Sequence, residues 1–195
     1  MNVLAISGSL RLGASNTSLL DAAARVAPAG VVVSRYPSIA VLPHFNPDED
    51  TFDQSTVPKV VAEFRALIGE ADALLLSTPE YAHGLPGSFK NALDWLVGSV
   101  EFPGKPVAMI SPSARSTYAQ EQLREILKTM SARIVDSASV VVALPRREMV
   151  VDEIVADETL AGALRSVLAE LAVAVGGPAA GPPRQHHAKR ETSDR

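Results

Sequence analysis

Residues 1–24 read MNVLAISGSLRLGASNTSLLDAAA, and this stretch decides the fold. An apolar run, Asn2–Ile6, breaks off at Ser7, Gly8 and Ser9. One arginine and a cluster of small polar residues follow. Then Leu19, Leu20, Ala23 and Val26 recur at helical spacing. The expectation is a short buried strand, a polar turn, and a helix over Asn16–Val26.

The same step recurs along the chain. Strands are expected at Val31–Tyr36, Asp72–Ser77, Pro106–Ser111 and Arg133–Val142. Helices are expected at Val57–Gly69, Pro86–Val97, Ser116–Met130 and Asp157–Val175. Between the second strand and its helix runs a long connection rich in proline and acids, Pro37–Lys59. Such connections are usually functional or mobile. Several strands are apolar on consecutive positions, which means burial on both faces and a parallel sheet covered by helices. Right-handed crossovers leave few topologies. The best fit is an α/β, flavodoxin-like three-layer sandwich, its five-stranded parallel sheet in the order 2-1-3-4-5. Ligands then sit beside the point where strand order reverses, between strands one and three. The loops there are Ser7–Ser15 and Thr78–Gly84. One domain is expected over residues 1–175. Residues 176–195, rich in Pro, Gly and charge and including His186 and His187, are expected to be a disordered tail that binds no metal.

Bulk properties narrow the chemistry. The 195 residues suit one domain, and 47% hydrophobic with 21% charged residues are globular values. No cysteine is present, which removes disulfides, thiolate metal sites and cysteine nucleophiles and makes a cytoplasmic setting the default. The formal net charge is −4. No basic face for nucleic acid shows, and no apolar run of about 18 residues suggests a membrane span. The partners expected are small molecules.

The first loop suits a phosphate. A helix start leaves N–H groups unpaired and carries partial positive charge, so an anion is stabilised there. Ser9, Ser15, Asn16 and Thr17 add hydrogen-bonding side chains, and Arg11 adds a planar cation suited to phosphate. The spacing is neither G-x-G-x-x-G nor a P-loop, because Ala14 stands where the P-loop lysine belongs. A mononucleotide-type ligand fits better than a dinucleotide pyrophosphate or a triphosphate. The plainer alternative is a hydrated turn with Ser15 or Asn16 as an N-cap.

The second loop, within TPEYAHGLPGSFKNALDWL (78–96), offers a rigid turn. Backbone N–H groups at Glu80 to His83 can meet the polar edge of a planar ligand, and Tyr81 can pack against its ring. Trp95 reads best as a core aromatic.

Four segments together resemble the NADPH-dependent FMN reductase family of flavodoxin-like quinone and flavin reductases: GSLRLGASNTSLL, LPHFNPDED, STPEYAHGLPGSFKNALDWL and GKPVAMISPSARSTYAQEQLREIL. The likeness runs from about Asn2 to Val142. The resemblance implies a bound FMN, its phosphate held by Ser9, Arg11, Ser15, Asn16 and Thr17. It implies that Pro79, Glu80, Tyr81, Ala82 and His83 line the isoalloxazine, with Ser111 and the loop near Arg115 closing the third side. Two departures stand out. Ala82 occupies a position where many relatives carry asparagine, and the loop after strand four is SPSARSTYA where the family is often glycine-rich.

The implied activity is hydride transfer from NADPH or NADH to flavin N5, then to quinone, flavin or a similar acceptor by ping-pong turnover, with no side-chain nucleophile. A homodimer or homotetramer is also implied, with LPHFNPDED and the Trp95 helix near the interface. The alternatives are an electron carrier or flavin sensor without turnover, and an α/β module that binds no flavin.

Overall fold

The computed structural model describes residues 1–51 and 55–177. Strands β1 (Asn2–Ser7), β2 (Val32–Arg35), β3 (Ala73–Ser77) and β4 (Pro106–Ser111) form a parallel sheet with β5 (Arg133–Ile134) and β6 (Val140–Val141). The order is β2-β1-β3-β4-β5, with β6 also on β4. This is the flavodoxin-like arrangement read from the sequence. The helices are α1 (Ser15–Arg25), α2 (Lys59–Glu70), α3 (Gly87–Asp94), α4 (Thr117–Thr129), α5 (Val151–Ala156) and α6 (Glu158–Gly176).

Side-chain alternation along each strand sorts the core into two layers. Leu4, Ile6, Leu74, Leu76, Val107 and Met109 face α2, α3 and α4. Val3, Ala5, Ala73, Leu75, Ala108 and Ile110 face α1, α5 and α6. Central strands that must satisfy both layers read as apolar runs that end in buried, hydrogen-bonded serines at their carboxyl ends, Ser7, Ser77 and Ser111.

Two elements differ from the sequence reading. The fifth strand, expected as continuous over Arg133–Val142, is split by a 3-10 turn at Asp136–Ala138. Asp and Ser have poor strand propensity, and this short polar run prefers a local turn. The break interrupts the backbone ladder beside β4. Ser139 fills the gap: its Oγ accepts from Met109 N–H at 3.2 Å and donates to the Val135 carbonyl at 2.8 Å. Helix α5 was not foreseen. It is only six residues long, too short to set up a helical period. Its start is held by the Glu153 carboxylate, which accepts from Val150 N–H at 3.1 Å.

The Pro37–Lys59 connection is tied to α2 and α3 at Pro43, Phe45 and Asp50. The Pro43 carbonyl accepts from Trp95 Nε1 at 2.8 Å and from Asn91 Nδ2 at 2.9 Å. Asp50 pairs with Arg65 at 2.7 Å, their side chains 10% and 2% exposed, and Arg65 Nε also donates to the Trp95 carbonyl at 2.8 Å. Trp95 itself is fully buried.

Helix α6 is capped by Asp157, whose Oδ1 accepts from Thr159 N–H and Leu160 N–H. Its 19 residues have a mean hydropathy of 1.5, long and apolar enough to cross a membrane by length and composition. Against the expectation of no such segment, the helix qualifies, because its charges are few. Here Leu160, Leu164, Val167, Leu168 and Leu171 pack into the core. The expected tail, with His186 and His187, lies outside the described residues from 178 onward.

Candidate functional site

The reversal of strand order between β1 and β3 opens a crevice at the carboxyl edge of the sheet. The loops after β1, β3, β4 and β6 enclose there a cavity of about 670 Å³. That is ample for a mononucleotide-sized ligand, whose sites commonly span roughly 300–1,000 Å³.

The first two loops touch at Gly8. Its N–H donates to the Ser77 carbonyl at 2.8 Å. A Cβ on Gly8 would lie 2.4 Å from Thr78 Oγ1. Only glycine lets the β1 and β3 exits run side by side. Two polar links reinforce the junction. Ser77 Oγ donates to Asn16 Oδ1 at 2.8 Å, and the Ser7 and Thr17 hydroxyls share a hydrogen bond of 2.8 Å.

Helix α1 starts at the cavity wall with Ala14 at the N-cap, a residue without a capping group, and with no acid in the first turn. Its first N–H groups therefore receive no side-chain acceptor among the described residues. Ser9, Arg11, Ser15 and Asn16 line the cavity around this helix start. Thr17 does not line it, and the side-chain carbonyl of Asn16 is spent on Ser77, so these two residues brace the seat. Arg11 forms a salt bridge with Glu148, and Glu148 N–H lies 3.4 Å from Ser15 Oγ.

On the other wall, Tyr81 and Gly84 exchange N–H···O bonds of 3.0 Å. The two residues between them, Ala82 and His83, have φ of 49° and 59°. Positive φ at both central residues is the signature of a type I′ hairpin turn, which favours Asn and Gly. Ala82 therefore carries a steric cost that asparagine would lessen, a physical reading of the departure noted in the sequence.

The turn is clamped to α4. Glu80 Oε2 accepts from Ala119 N–H at 3.0 Å, Gln122 Oε1 accepts from Leu85 N–H at 2.7 Å, and His83 stacks on Tyr118 with ring centroids 4.3 Å apart. The Glu80 carboxylate thus caps α4 from a distance. Pro79, Glu80 and Tyr81 line the cavity, whereas Ala82 and His83 do not. The N–H groups of Tyr81 and Gly84 are used within the turn. Those of Glu80, Ala82 and His83 make no hydrogen bond among the described residues.

The third side is Pro112–Ser116, including Arg115. Ser111 does not reach the cavity; its buried hydroxyl donates to the Ser113 carbonyl at 2.8 Å and shapes the loop.

A fourth wall was missed from the sequence. Ala143–Arg147, after β6, lines the cavity and brings Arg146 and Arg147 to it. The available signal was a pair of adjacent arginines at the carboxyl end of a strand in a parallel sheet, the edge where ligands bind.

Comparison with known proteins agrees with this geometry. The family model described as NADPH-dependent FMN reductase matches residues 1–145. An NAD(P)H-dependent FMN reductase of Pseudomonas aeruginosa is 36% identical over 148 residues, covering 73% of this chain and 78% of that protein. A quinone reductase of Escherichia coli is 33% identical over 141 residues, covering 70% and 74%. Among solved structures, a flavoenzyme NAD(P)H:acceptor oxidoreductase from Paracoccus denitrificans aligns with TM-score 0.66 at 26% identity, covering 88% of this chain and 97% of that one.

Proposed function

The chain belongs to the NADPH-dependent FMN reductase family, and from that premise we propose how its own residues carry out the reaction. It is an NAD(P)H-dependent flavin oxidoreductase that uses FMN and reduces quinones or flavins. The observation that carries the residue assignment is the α1 start: an uncapped, acid-free helix N-terminus facing a cavity, with Arg11 and two serine hydroxyls around it. Such a donor set fits a phosphate monoester.

Bound there, FMN supplies a ring that accepts a hydride from the nicotinamide and returns the electrons to an acceptor. The first-turn N–H groups of α1, the hydroxyls of Ser9 and Ser15, and Arg11 hold its phosphate. Arg11 exchanges its exposed Glu148 partner for the phosphate, a stronger pairing than a surface carboxylate offers. Asn16 and Thr17 keep the seat in register with β3 and β1. Pro79, Glu80 and Tyr81 form the bed for the ring, and Tyr81 shields part of it from water. The unused N–H groups of the Glu80–His83 turn are preorganised donors for charge that develops on the ring. Their positions are fixed by the Glu80, Gln122 and Tyr118 contacts to α4, so donors need not reorganise during turnover. No side chain acts as a nucleophile.

Nicotinamide and acceptor use the same open face in turn, which gives ping-pong kinetics. The enzyme is further proposed to work in the cytoplasm as a homodimer or homotetramer. The absence of cysteine supports that compartment. Trp95 is internal, so an interface on that side would use the neighbouring exposed Val97 and Val100.

The test is anaerobic. Protein loaded with FMN is mixed with NADPH or NADH under nitrogen, and the visible flavin band is followed. Rapid bleaching, restored by adding a quinone, is expected. Persistence of the band with both nicotinamides would leave a carrier or sensor. Parallel double-reciprocal lines test the turn-taking, and a monomer with full activity in sedimentation would remove the oligomer.

A further inference from the structure

Four arginines line the cavity: Arg11, Arg115, Arg146 and Arg147. They come from three different loops. Arg11 is paired with Glu148, and Arg146 with Glu153. Arg115 and Arg147 have no side-chain partner among the described residues. Among the described residues the one carboxylate lining the cavity, Glu80, is committed to Ala119 N–H.

One phosphate monoester is matched by Arg11 and the start of α1. That leaves unpaired guanidinium groups on two facing loops, Pro112–Ser116 and Ala143–Arg147. Unpaired like charges around one concave space repel one another and focus a positive potential into it. The arrangement suits a second, more highly charged anion that arrives after the flavin. A planar guanidinium also matches phosphate geometry better than an ammonium would.

We infer that Arg147 and Arg115, assisted by Arg146, are the docking site for the phosphates of the nicotinamide dinucleotide, and that Arg147 binds the 2′-phosphate and makes this enzyme prefer NADPH over NADH. The inference rests on the reductase reading above and adds to it the residues that select the hydride donor. It also gives the adjacent pair Arg146 and Arg147 a use. Both follow β6 and line the cavity at the carboxyl edge of the sheet.

The test uses the FMN-loaded full chain, with wild type, Arg147→Ala, Arg115→Ala and Arg147→Lys compared. Calorimetry first measures binding of 2′,5′-ADP and 5′-AMP, which separates the 2′-phosphate from the adenosine. Wild type is expected to bind 2′,5′-ADP roughly tenfold or more tightly than 5′-AMP, with the advantage shrinking as salt is raised. Arg147→Ala should abolish most of that advantage, and Arg147→Lys should restore part of it. In steady state, the ratio of kcat/KM for NADPH to that for NADH should fall by a similar factor in Arg147→Ala. Equal binding of the two nucleotides by wild type would overturn the inference, as would an unchanged ratio in Arg147→Ala. Weakened FMN binding without a change in nucleotide discrimination would also overturn it, assigning Arg147 to the flavin phosphate. Failure of the underlying reading looks different: no FMN uptake, or no bleaching by either nicotinamide.

Discussion

Two connections leave the carboxyl edge of the sheet, one after β2 and one after β6, and they do opposite work. The first, Pro37–Lys59, is long, acidic and proline-rich. Its described part is strapped to α2 and α3 through Asp50–Arg65, Pro43–Trp95 and Pro43–Asn91. The second is short and ordinary to read. It exposes Arg146, Arg147 and Glu148, and its ion pairs lie in solvent. Length and composition pointed to the first as functional. Burial points to the second. A charge with a buried partner holds structure together, whereas a charge left open on a cavity wall is available to a ligand.

The sharpest way to break the comparison is Asp50→Ala. It would strand Arg65 in the core with only the Trp95 carbonyl. Removing one member of a buried pair costs about 3–5 kcal/mol. Urea unfolding should show a loss on that scale, with FMN affinity unchanged. A loss near zero would mean that the strap contributes nothing. Arg11→Ala should do the reverse. FMN affinity should weaken by about 1–3 kcal/mol, the scale of a hydrogen bond to a charged group, while stability moves little because the Glu148 pair is exposed. Ser15→Ala tests the same seat, and unchanged affinity in both variants would place the phosphate elsewhere.

Smaller effects sharpen the contrast. Ala82→Gly should stabilise the protein by roughly 0.5–1 kcal/mol, since φ of 49° is costly for alanine and free for glycine. Thermal unfolding of FMN-free protein checks this, and a destabilised variant would mean that the methyl group makes a contact outweighing the strain. Glu148→Gln should change stability by less than about 0.5 kcal/mol. It should tighten FMN by roughly 0.5–1 kcal/mol in a fluorescence-quenching titration, because a carboxylate is removed from beside the phosphate seat and Arg11 is released. Weaker FMN binding instead would mean that Glu148 positions Arg11 for the ligand.

Much of this molecule was legible in its sequence. Period and polarity fixed β1, β3 and β4 to within a residue or two, since a strand covered on both faces must be apolar at every position. Crossover handedness left few topologies, and the one that fitted best, 2-1-3-4-5, is the order observed. The glycine, arginine and serines of the first loop were legible as a candidate anion seat, with a hydrated, N-capped turn as the plainer alternative. The role of Glu80 as a cap for α4 was not legible. It spans 39 positions, and nothing local marks its partner. The split of the fifth strand was hidden for a similar reason: β-branched residues on both sides masked a four-residue polar insert whose ladder gap is closed by Ser139.

The sequence by itself determined the β-α alternation, the two-layered core and the uncapped, acid-free start of α1, because local periodicity, backbone conformation and helix-end chemistry are properties of neighbouring residues. Only the tertiary structure decided that the long connection is strapped to α2 and α3, that Asn16 bonds Ser77 and Thr17 bonds Ser7, and that Arg115 and Arg147 line one cavity. Each of those depends on which distant groups come within reach of one another, and burial then sets whether a charge is satisfied within the chain or left for a ligand.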